Sequence, residues 1–325
     1  MKRKFGVALA ACAALTLSAA APVVAQDKID KPVKILVGFP AGGTADIMAR
    51  AVADKMKDTL GQPVIVENRP GAIGRIAADA VKAAAPDGTT IMVMPIGPMA
   101  VVPHTYKSLS YDPIKDFTPI GMGSVFQFAI AAGPQSGAKT WPEYVAWAKA
   151  NPGKSAYATS GAGSLPHFFG VLLGREANIE MLHVPYKGSA AYMNELIGGN
   201  VPTAADAIAD LTEQHRAGKI RILASSGSKR STAVPDVPTF AELGVKGVEA
   251  QGWFGFFAPA KTPKAIVDQL NRSLNQALNS PDVAERLTKL GLDPATTTPE
   301  EFARIVASDY AKWGPIVKAT GFTAE

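Results

Sequence analysis

Two short segments of the chain combine glycine with small hydroxyl side chains where an apolar run passes into a helical pattern. They consist of Phe39, Pro40, Ala41, Gly42, Gly43, Thr44 and Ala45, and of Ser160, Gly161, Ala162, Gly163 and Ser164. The first backbone N–H groups of a helix have no partner within it and carry positive potential, and glycine lets a ligand approach the main chain closely. With the hydroxyl groups of Thr44 and Ser164 as further donors, the two segments together are suited to bind a carboxylate. Each segment alone also fits an ordinary turn between a strand and a helix.

The other polar residues indicate neither a metal site nor a catalytic nucleophile. No two of the four histidines have the i, i+4 spacing of a zinc-binding helix, and the chain has no Gly-x-Ser-x-Gly turn and no phosphate-binding P-loop. A hydrolase that pairs Ser160 or Ser164 with His167 is the alternative, but these residues share one local turn and no orienting acid is evident. We expect no catalytic residue, no metal and no cofactor, and we interpret His167 as a residue of the cleft edge or the core.

One acidic residue directly follows the first segment. Asp46 falls in the first turn of the predicted helix, with Arg50 four residues later. A carboxylate in the first turn is stabilised by the helix dipole, and residues four apart are neighbours on the helix surface. We interpret Asp46 as structural, because a negative charge that pointed into a ligand site would oppose the binding of an anion.

The first 25 residues predict a secretory signal peptide. Lys2, Arg3 and Lys4 precede an apolar run at residues 5–21, and small residues follow at 23–25. A membrane anchor is the alternative, but the run is short for a membrane span and no basic residues stop it. Lipidation at Cys12 is a weaker alternative, because apolar sequence continues beyond the cysteine.

The rest of the chain has the composition of a soluble globular protein. The full chain of 325 residues is 47% hydrophobic, and without Lys2, Arg3 and Lys4 it includes 30 basic and 28 acidic residues. No run of lysine and arginine alternates with aromatic residues, so we expect no nucleic acid partner. The mature chain from Gln26 has no cysteine, and a secreted chain of this length without disulfides fits the bacterial periplasm.

Apolar runs and helical patterns alternate along most of the chain, which predicts parallel sheets with crossover helices. The predicted strands cover residues 34–39, 64–66, 90–94, 155–159, 181–184 and 220–224. Two longer apolar stretches, 117–132 and 248–258, are predicted to cross between two such units. Pro263, Pro281 and Pro299 mark the starts of three helices near the end of the chain.

Four motifs, in order along the mature chain, resemble those of one protein family. They are Gly38–Asp46 with Ala49 and Arg50, Val66–Ala72, Ala85–Gly88 and His183–Gly188. Together they resemble the Bug proteins, the extracytoplasmic solute receptors of tripartite tricarboxylate transporters. The resemblance implies an α/β fold, the type II periplasmic binding protein: two α/β lobes with mainly parallel sheets, joined by crossing strands. We expect lobe I to comprise residues 26–125 and 250–325, and lobe II residues 126–249.

The resemblance also implies a function. A receptor of this family captures a small carboxylate or related polar metabolite by lobe closure and delivers it to integral membrane permease subunits; some relatives instead inform a sensor kinase. We expect a periplasmic monomer without catalytic activity. The two glycine-rich segments would hold the ligand, with His167 beside them, and the family's cleft would also be lined here by Tyr186, Lys187, Gly188, Ala205 and Asp206.

The chain departs from the family pattern at several cleft positions. Phe39 replaces the more usual tyrosine, and Ala205 stands where phenylalanine often precedes the aspartate. Arg75 occupies a position where asparagine is common; it could reach a second carboxylate, but we favour a surface role. The resemblance therefore does not identify the ligand.

Overall fold

The computed structural model describes residues 28–248 and 250–324, so the predicted signal peptide at residues 1–25 lies outside the described residues. The described strands are β1 (Val33–Val37), β2 (Val64–Asn68), β3 (Thr90–Pro95), β4 (Phe117–Ala132), β5 (Ala156–Thr159), β6 (Leu182–Pro185), β7 (Thr203–Ala207), β8 (Arg221–Ser225), β9 (Gln251–Pro259) and β10 (Leu292–Pro294). The described α-helices are α1 (Thr44–Leu60), α2 (Arg75–Lys82), α3 (Trp141–Ala150), α4 (Leu165–Ala177), α5 (Ser189–Ile197), α6 (Ile208–Arg216), α7 (Lys264–Leu278), α8 (Pro281–Lys289) and α9 (Pro299–Ala319). Within the described ranges, no helix is long and apolar enough to span a bilayer.

The strands form a continuous path in the order β2-β1-β3-β9-β4-β7-β5-β6, and β8 and β10 also pair with β4. We call the part that contains β1, β2, β3, β9, β10 and the beginning of β4 sheet I, and the part that contains β5 to β8 and the end of β4 sheet II. The pairs β1–β2, β1–β3, β5–β6 and β5–β7 are parallel. Every antiparallel pair involves β4 or β9. This is the predicted architecture of two α/β units, which β4 links.

The strand β4 connects the two sheets. Its residues 117–127 pair with β9, and its residues 128–132 pair with β7 and β8. The second stretch predicted to cross, 248–258, contains most of β9. In the part of the chain that the structure describes, β9 pairs with β3 and β4 alone and stays in sheet I. The chain returns to sheet I just before β9, where the Ala250 N–H donates to the Ser226 carbonyl at 3.4 Å.

The start of sheet I follows the sequence pattern closely. β1 is buried, and α1 covers the sheet through Met48, Val52 and Met56, which recur at four-residue spacing and are all buried. Gly61 ends the helix in the left-handed conformation at φ 65°, which glycine adopts without strain. The first segment, between β1 and α1, is therefore anchored at both ends.

Two elements of sheet II have no clear sequence signal. β7 has the sequence Thr-Ala-Ala-Asp-Ala, which is poor in the β-branched and aromatic residues that favour strands. It forms because it pairs with β4 on one side and β5 on the other, and all five of its residues are buried. The helix α6 follows at once, and these two elements carry Asp206 and Asp210.

The helix α9 starts at the predicted Pro299 and packs on sheet I. The Phe302 ring lies 5.1 Å from that of Trp253 and 5.2 Å from that of Phe257, both on β9. Gly255 makes room for it, because a Cβ at that position would come within 2.0 Å of the Phe302 ring. Thr298 and Glu301 form a capping box at the start of the helix.

We expect Phe302→Ala to lower the free energy of unfolding by about 3–5 kcal/mol, because it leaves a cavity between α9 and β9. The control Arg304→Ala changes an exposed residue of the same helix and is expected to stay within about 0.5 kcal/mol of the wild type. Urea unfolding followed by circular dichroism measures both. Equal stabilities of the two variants would show that Phe302 does not anchor the helix.

Candidate functional site

The carboxyl ends of the parallel strands in the two sheets lead into segments that meet each other. The Thr44 Oγ1 atom, at the start of α1, donates to Asp210 Oδ1 of α6 at 3.1 Å. Ile73, in the loop after β2, lies against Gly161. We call the space between residues 39–45 and residues 160–164 the cleft. Open α/β sheets bind ligands at the carboxyl ends of their strands, which is where the cleft lies.

The carboxylate of Asp46 holds the first segment in place through hydrogen bonds. Its Oδ2 accepts from the Gly42 N–H at 2.9 Å and from Arg50 Nε at 3.0 Å, and its Oδ1 accepts from Asn68 Nδ2 at 2.9 Å. Burial opposes ionisation of this carboxyl, but the hydrogen bonds from Arg50, Gly42 and Asn68 outweigh burial and lower its pKa. Asp46 is therefore a structural residue that pairs with Arg50, as predicted.

Three helices begin at the cleft without a side-chain cap. They are α1, α4 and α5, whose N-cap residues are Gly43, Ser164 and Gly188. Among the described α-helices, Thr140 and Thr298 cap α3 and α9, whereas α2, α6, α7 and α8 also lack a side-chain cap. The uncapped starts matter here because three of them converge, and their combined dipoles favour an anion.

The glycine content alone suggested that the N–H groups of the glycine residues are the donors at these helix starts. The free main-chain donors belong to other residues. The N–H groups of Gly42 and Gly43 are engaged within the first segment, by Asp46 and by the Pro40 carbonyl. In the part of the chain that the structure describes, no acceptor bonds the N–H groups of Thr44 and Ala45. The first turn of α1 therefore offers the free donors, and the glycines shape the approach to it.

The two hydroxyl groups expected as free donors are both engaged in this structure. Thr44 Oγ1 donates to Asp210, and Ser164 Oγ donates to the Gly161 carbonyl at 2.6 Å. The prediction that they stand free for a ligand is therefore wrong for this conformation. The Ser164 bond closes the second segment into a tight turn, so this hydroxyl positions main-chain groups.

Two stacked histidines support the second segment. The rings of His167 and His183 lie 3.9 Å apart and nearly parallel. His167 Nδ1 accepts from the Gly163 N–H at 3.2 Å, and His183 Nε2 lies 2.7 Å from Thr159 Oγ1. Gly163 has φ +71°, and a Cβ there would come within 2.9 Å of the Phe322 ring. His167 is buried behind the segment, so it holds the turn in place.

Burial sets the charge of this histidine pair. Desolvation lowers the pKa of His167 to about 4. Desolvation, together with repulsion from His167, lowers the pKa of His183 to about 3. Both rings are therefore neutral at neutral pH. His167 lies among the predicted site residues, but its Nδ1 accepts from the Gly163 N–H, and no serine in the described part of the chain bonds this atom.

The turn after β6 joins the second segment. The Tyr186 N–H donates to the Thr159 carbonyl at 3.0 Å, and the Gly188 N–H donates to the Ser160 carbonyl at 3.1 Å. Gly188 has φ 97°, a conformation that favours glycine. Lys187 is exposed between them. These three predicted site residues thus border the same edge of sheet II as residues 160–164.

The last two predicted site residues differ in position. Ala205 is fully buried in the middle of β7 and packs in the main core. Asp206, next to the end of β7, is 3% exposed and its Oδ1 accepts from the Ala207 N–H at 2.8 Å. Burial, and then repulsion from Asp210, raises the pKa of Asp206. Asp210 was not predicted from the sequence.

Arg75 does not lie free on the surface as we had favoured. It is half-buried, and its guanidinium carbon stands 4.4 Å from the centre of the Tyr106 ring. Its Nε atom is buried, and no acceptor among the described residues bonds it. Stacking on an aromatic ring stabilises a guanidinium group and leaves its outer N–H groups available.

The histidine pair makes the protein sensitive to acid. The unfolded chain binds protons near pH 6.5 at each histidine, whereas the folded chain does not until about pH 4. Stability is therefore lost as the pH falls from about 6.5 toward 4, by up to about 1.4 kcal/mol per histidine and pH unit.

The double variant His167→Asn, His183→Gln keeps an acceptor near each bonding atom and removes both titrations. We expect it to lose less of its free energy of unfolding between about pH 7 and pH 5 than the wild type loses. Urea unfolding at the two pH values measures the difference. An equal loss in both proteins would contradict the assignment of neutral buried rings.

The chain is similar to known receptor proteins over most of its length. The family model described as "Tripartite tricarboxylate transporter family receptor" matches residues 48–322. Among curated proteins, the chain is 35% identical to Protein BugT of Bordetella pertussis, over 94% of each chain.

Solved structures agree in fold. The periplasmic binding protein BugD has a TM-score of 0.84 at 35% identity, with 91% of this chain and 100% of that chain covered. MatC (Rpa3494) from Rhodopseudomonas palustris, solved with bound malate, has a TM-score of 0.81 at 33% identity, with 89% and 99% covered. R. palustris Rpa4515, solved with adipate, has a TM-score of 0.85 at 31% identity, with 90% and 98% covered. The chain thus has the two-lobed α/β fold of periplasmic binding proteins, and it belongs to the family of tripartite tricarboxylate transporter receptors.

Proposed function

We propose that the protein is a periplasmic receptor that captures a small carboxylate in the cleft and delivers it to the permease subunits of a tripartite tricarboxylate-type transporter. The observation that carries this proposal is the convergence of three uncapped helix starts on one cleft. The family membership supports it, as do the malate and adipate in two of the similar structures.

Capture would work by closure of two lobes on the ligand. In this proposal lobe I comprises residues 26–125 and 250–325, and lobe II residues 126–249. A ligand that bonds both lobes at once favours the closed state, because only that state offers both sets of contacts. Micromolar affinity requires about −8 kcal/mol, and a few charge-assisted hydrogen bonds in a partly dry cleft can supply it.

The predicted residues have different roles in the proposed site. We propose that the first turn of α1, from Thr44, supplies main-chain donors from lobe I. The turn at residues 160–164 and the start of α5 beyond Gly188 supply them from lobe II. His167 acts from behind the turn, and Ala205 contributes only to the wall under the cleft.

The geometry of the cleft fits one alternative function but does not support the other. A ligand-sensing adaptor for a sensor kinase would use the same cleft and differ only in its partner. A secreted hydrolase would need a serine bonded to His167, but Ser164 Oγ bonds the Gly161 carbonyl, and His167 Nδ1 bonds the Gly163 N–H. The geometry gives the hydrolase no support.

A thermal-shift screen of small mono- and dicarboxylates, amino acids and neutral amides on the mature protein tests the proposal. A ligand at about 100 times its dissociation constant is expected to add about 2.7 kcal/mol to the stability. Stabilisation by amides alone, or by no compound in the panel, would contradict carboxylate capture. The same screen identifies the probe for the variants below.

We expect Gly43→Asp to abolish carboxylate binding and to preserve the fold. Gly43 is the N-cap of α1 with φ −76° and ψ 167°, a conformation in which aspartate is a good cap. Its charge would occupy the helix start and repel the ligand, at a cost of at least about a hundredfold in affinity.

The matched control is Gly43→Asn, which adds nearly the same side chain without the charge. We expect it to retain more affinity than the aspartate variant, because it caps the helix without repelling an anion. Calorimetric titration with the carboxylate found in the screen compares the three proteins. Equal affinities of the two variants would show that the start of α1 does not face the ligand carboxylate.

A further inference from the structure

The segment that follows α9 runs from sheet I to the second segment. Residues 320–324 leave the end of α9, which packs on sheet I, whereas residues 160–164 follow β5 of sheet II. Gly321 turns the chain at φ +68°, a conformation that favours glycine. The Phe322 N–H donates to Thr320 Oγ1 at 3.2 Å and fixes this turn. We call residues 320–324 the strap.

The far end of the strap is bonded to the loop between β3 and β4. The Ala324 N–H donates to the Thr105 carbonyl at 2.6 Å, and Ala324 pairs with Tyr106 in a parallel bridge. Thr105 is 1% exposed, and its Oγ1 donates to the Val102 carbonyl at 2.9 Å. Hydrogen bonds near both ends therefore give the strap a fixed course, with Phe322 in its middle.

The Phe322 ring packs on both residues of the hydrogen bond that holds the second segment. It lies 4.9 Å from the His167 ring and 5.8 Å from the Phe168 ring, edge to face in both cases, which is a favourable arrangement of aromatic rings. A Cβ on Gly163 would come within 2.9 Å of the Phe322 ring and 3.5 Å of Thr105 Oγ1. Gly163, whose N–H donates to His167 Nδ1, therefore lies closely between the strap and Thr105.

The second segment is a turn that needs this support. Its residue Ala162 is exposed, and no acceptor among the described residues bonds the Ala162 N–H. Gly163, at φ +71°, has no side chain that restricts its backbone. A turn that is free to move must be ordered when a ligand binds, and the cost of ordering reduces the affinity. The packing of Phe322 on Gly163 and His167 orders the turn before the ligand arrives.

We propose that Phe322 is a positioning residue for ligand capture, which acts through Gly163 and His167 to hold the second segment in the conformation that binds a carboxylate. The inference rests on the proposed function and deepens it. Phe322 belongs to neither glycine-rich segment, and it contributes order to the site rather than a hydrogen bond to the ligand.

Two variants of Phe322 test the role of its ring. Phe322→Ala removes the ring, and we expect the affinity for a carboxylate to fall about tenfold or more, because ordering the backbone of one residue costs about one decade of affinity. Phe322→Leu keeps apolar bulk against His167, and we expect it to recover most of the affinity. Calorimetric titration of the mature proteins uses the mono- or dicarboxylate that most stabilises the wild type in the thermal-shift screen, with malate and adipate included in the panel.

A third variant tests the strap without changing the ring, and a fourth serves as the control. Ala324→Pro removes the N–H that bonds the Thr105 carbonyl, and we expect weaker binding by a smaller factor than in Phe322→Ala. It decides the test alone if Phe322→Ala does not fold. The control Ile305→Ala removes a half-buried apolar side chain near the start of α9. We expect it to lower the stability and to leave the affinity unchanged.

Hydrogen exchange followed by mass spectrometry gives a readout that general destabilisation would not reproduce. Without ligand, we expect peptides that cover residues 160–168 to exchange faster in Phe322→Ala than in the wild type, because the turn opens locally. Peptides from α3 are expected to exchange at the same rate in both proteins. In Phe322→Leu, most of the protection at residues 160–168 is expected to return.

The outcomes separate the inference from the function on which it rests. If the wild type binds a carboxylate, and Phe322→Ala and Ala324→Pro bind it equally well, the receptor function stands and the inference fails. If the affinity falls while exchange at residues 160–168 stays unchanged, the ring does not act by ordering the turn, and the inference also fails. If no carboxylate binds the wild type, both proposals fail.

Discussion

The site depends on keeping main-chain N–H groups unpaired at the starts of helices that face one another. An unpaired N–H is unfavourable in a folded protein, so a chain normally caps it with a side chain or exposes it to water. Here the side chains that could act as caps are engaged elsewhere: Asp46 bonds Gly42, Arg50 and Asn68, and Ser164 bonds the Gly161 carbonyl. The donors stay available because these hydrogen bonds hold in place the loops that present them.

The same arrangement explains how neutral groups can support the proposed site for an anion. His167 and His183 are kept uncharged by burial, and they hold the second segment through hydrogen bonds to the Gly163 N–H and the Thr159 hydroxyl. A fixed turn has little entropy to lose when a ligand binds, so more of the contact energy appears as affinity.

Much of the fold could be predicted from the sequence, and so could the position of the two glycine-rich segments between a strand and a helix. The motif Gly38–Asp46 located the first segment, which precedes the helix predicted to carry Asp46 and Arg50. The structural interpretation of Asp46 was confirmed. The internal hydrogen bonds of Thr44 and Ser164 could not be predicted, because they depend on partners brought near by the fold.

The position of Asp210 beside Thr44 could not be predicted from the sequence. It lies in a stretch rich in alanine in which neither the strand nor the helix period stands out, and β7 exists only because two neighbouring strands pair with it. Its partner Thr44 is 166 residues away in the chain. The nearest signal in the sequence was Asp206, four residues earlier, whose importance came from a family resemblance.

The most direct test of the central claim is a crystal structure of the mature protein with a carboxylate that stabilises it. We predict that the carboxylate oxygens lie within hydrogen-bonding distance of main-chain N–H groups at the start of α1 and of residues 160–164. A carboxylate held chiefly by lysine or arginine side chains, or bound outside the cleft, would contradict the account.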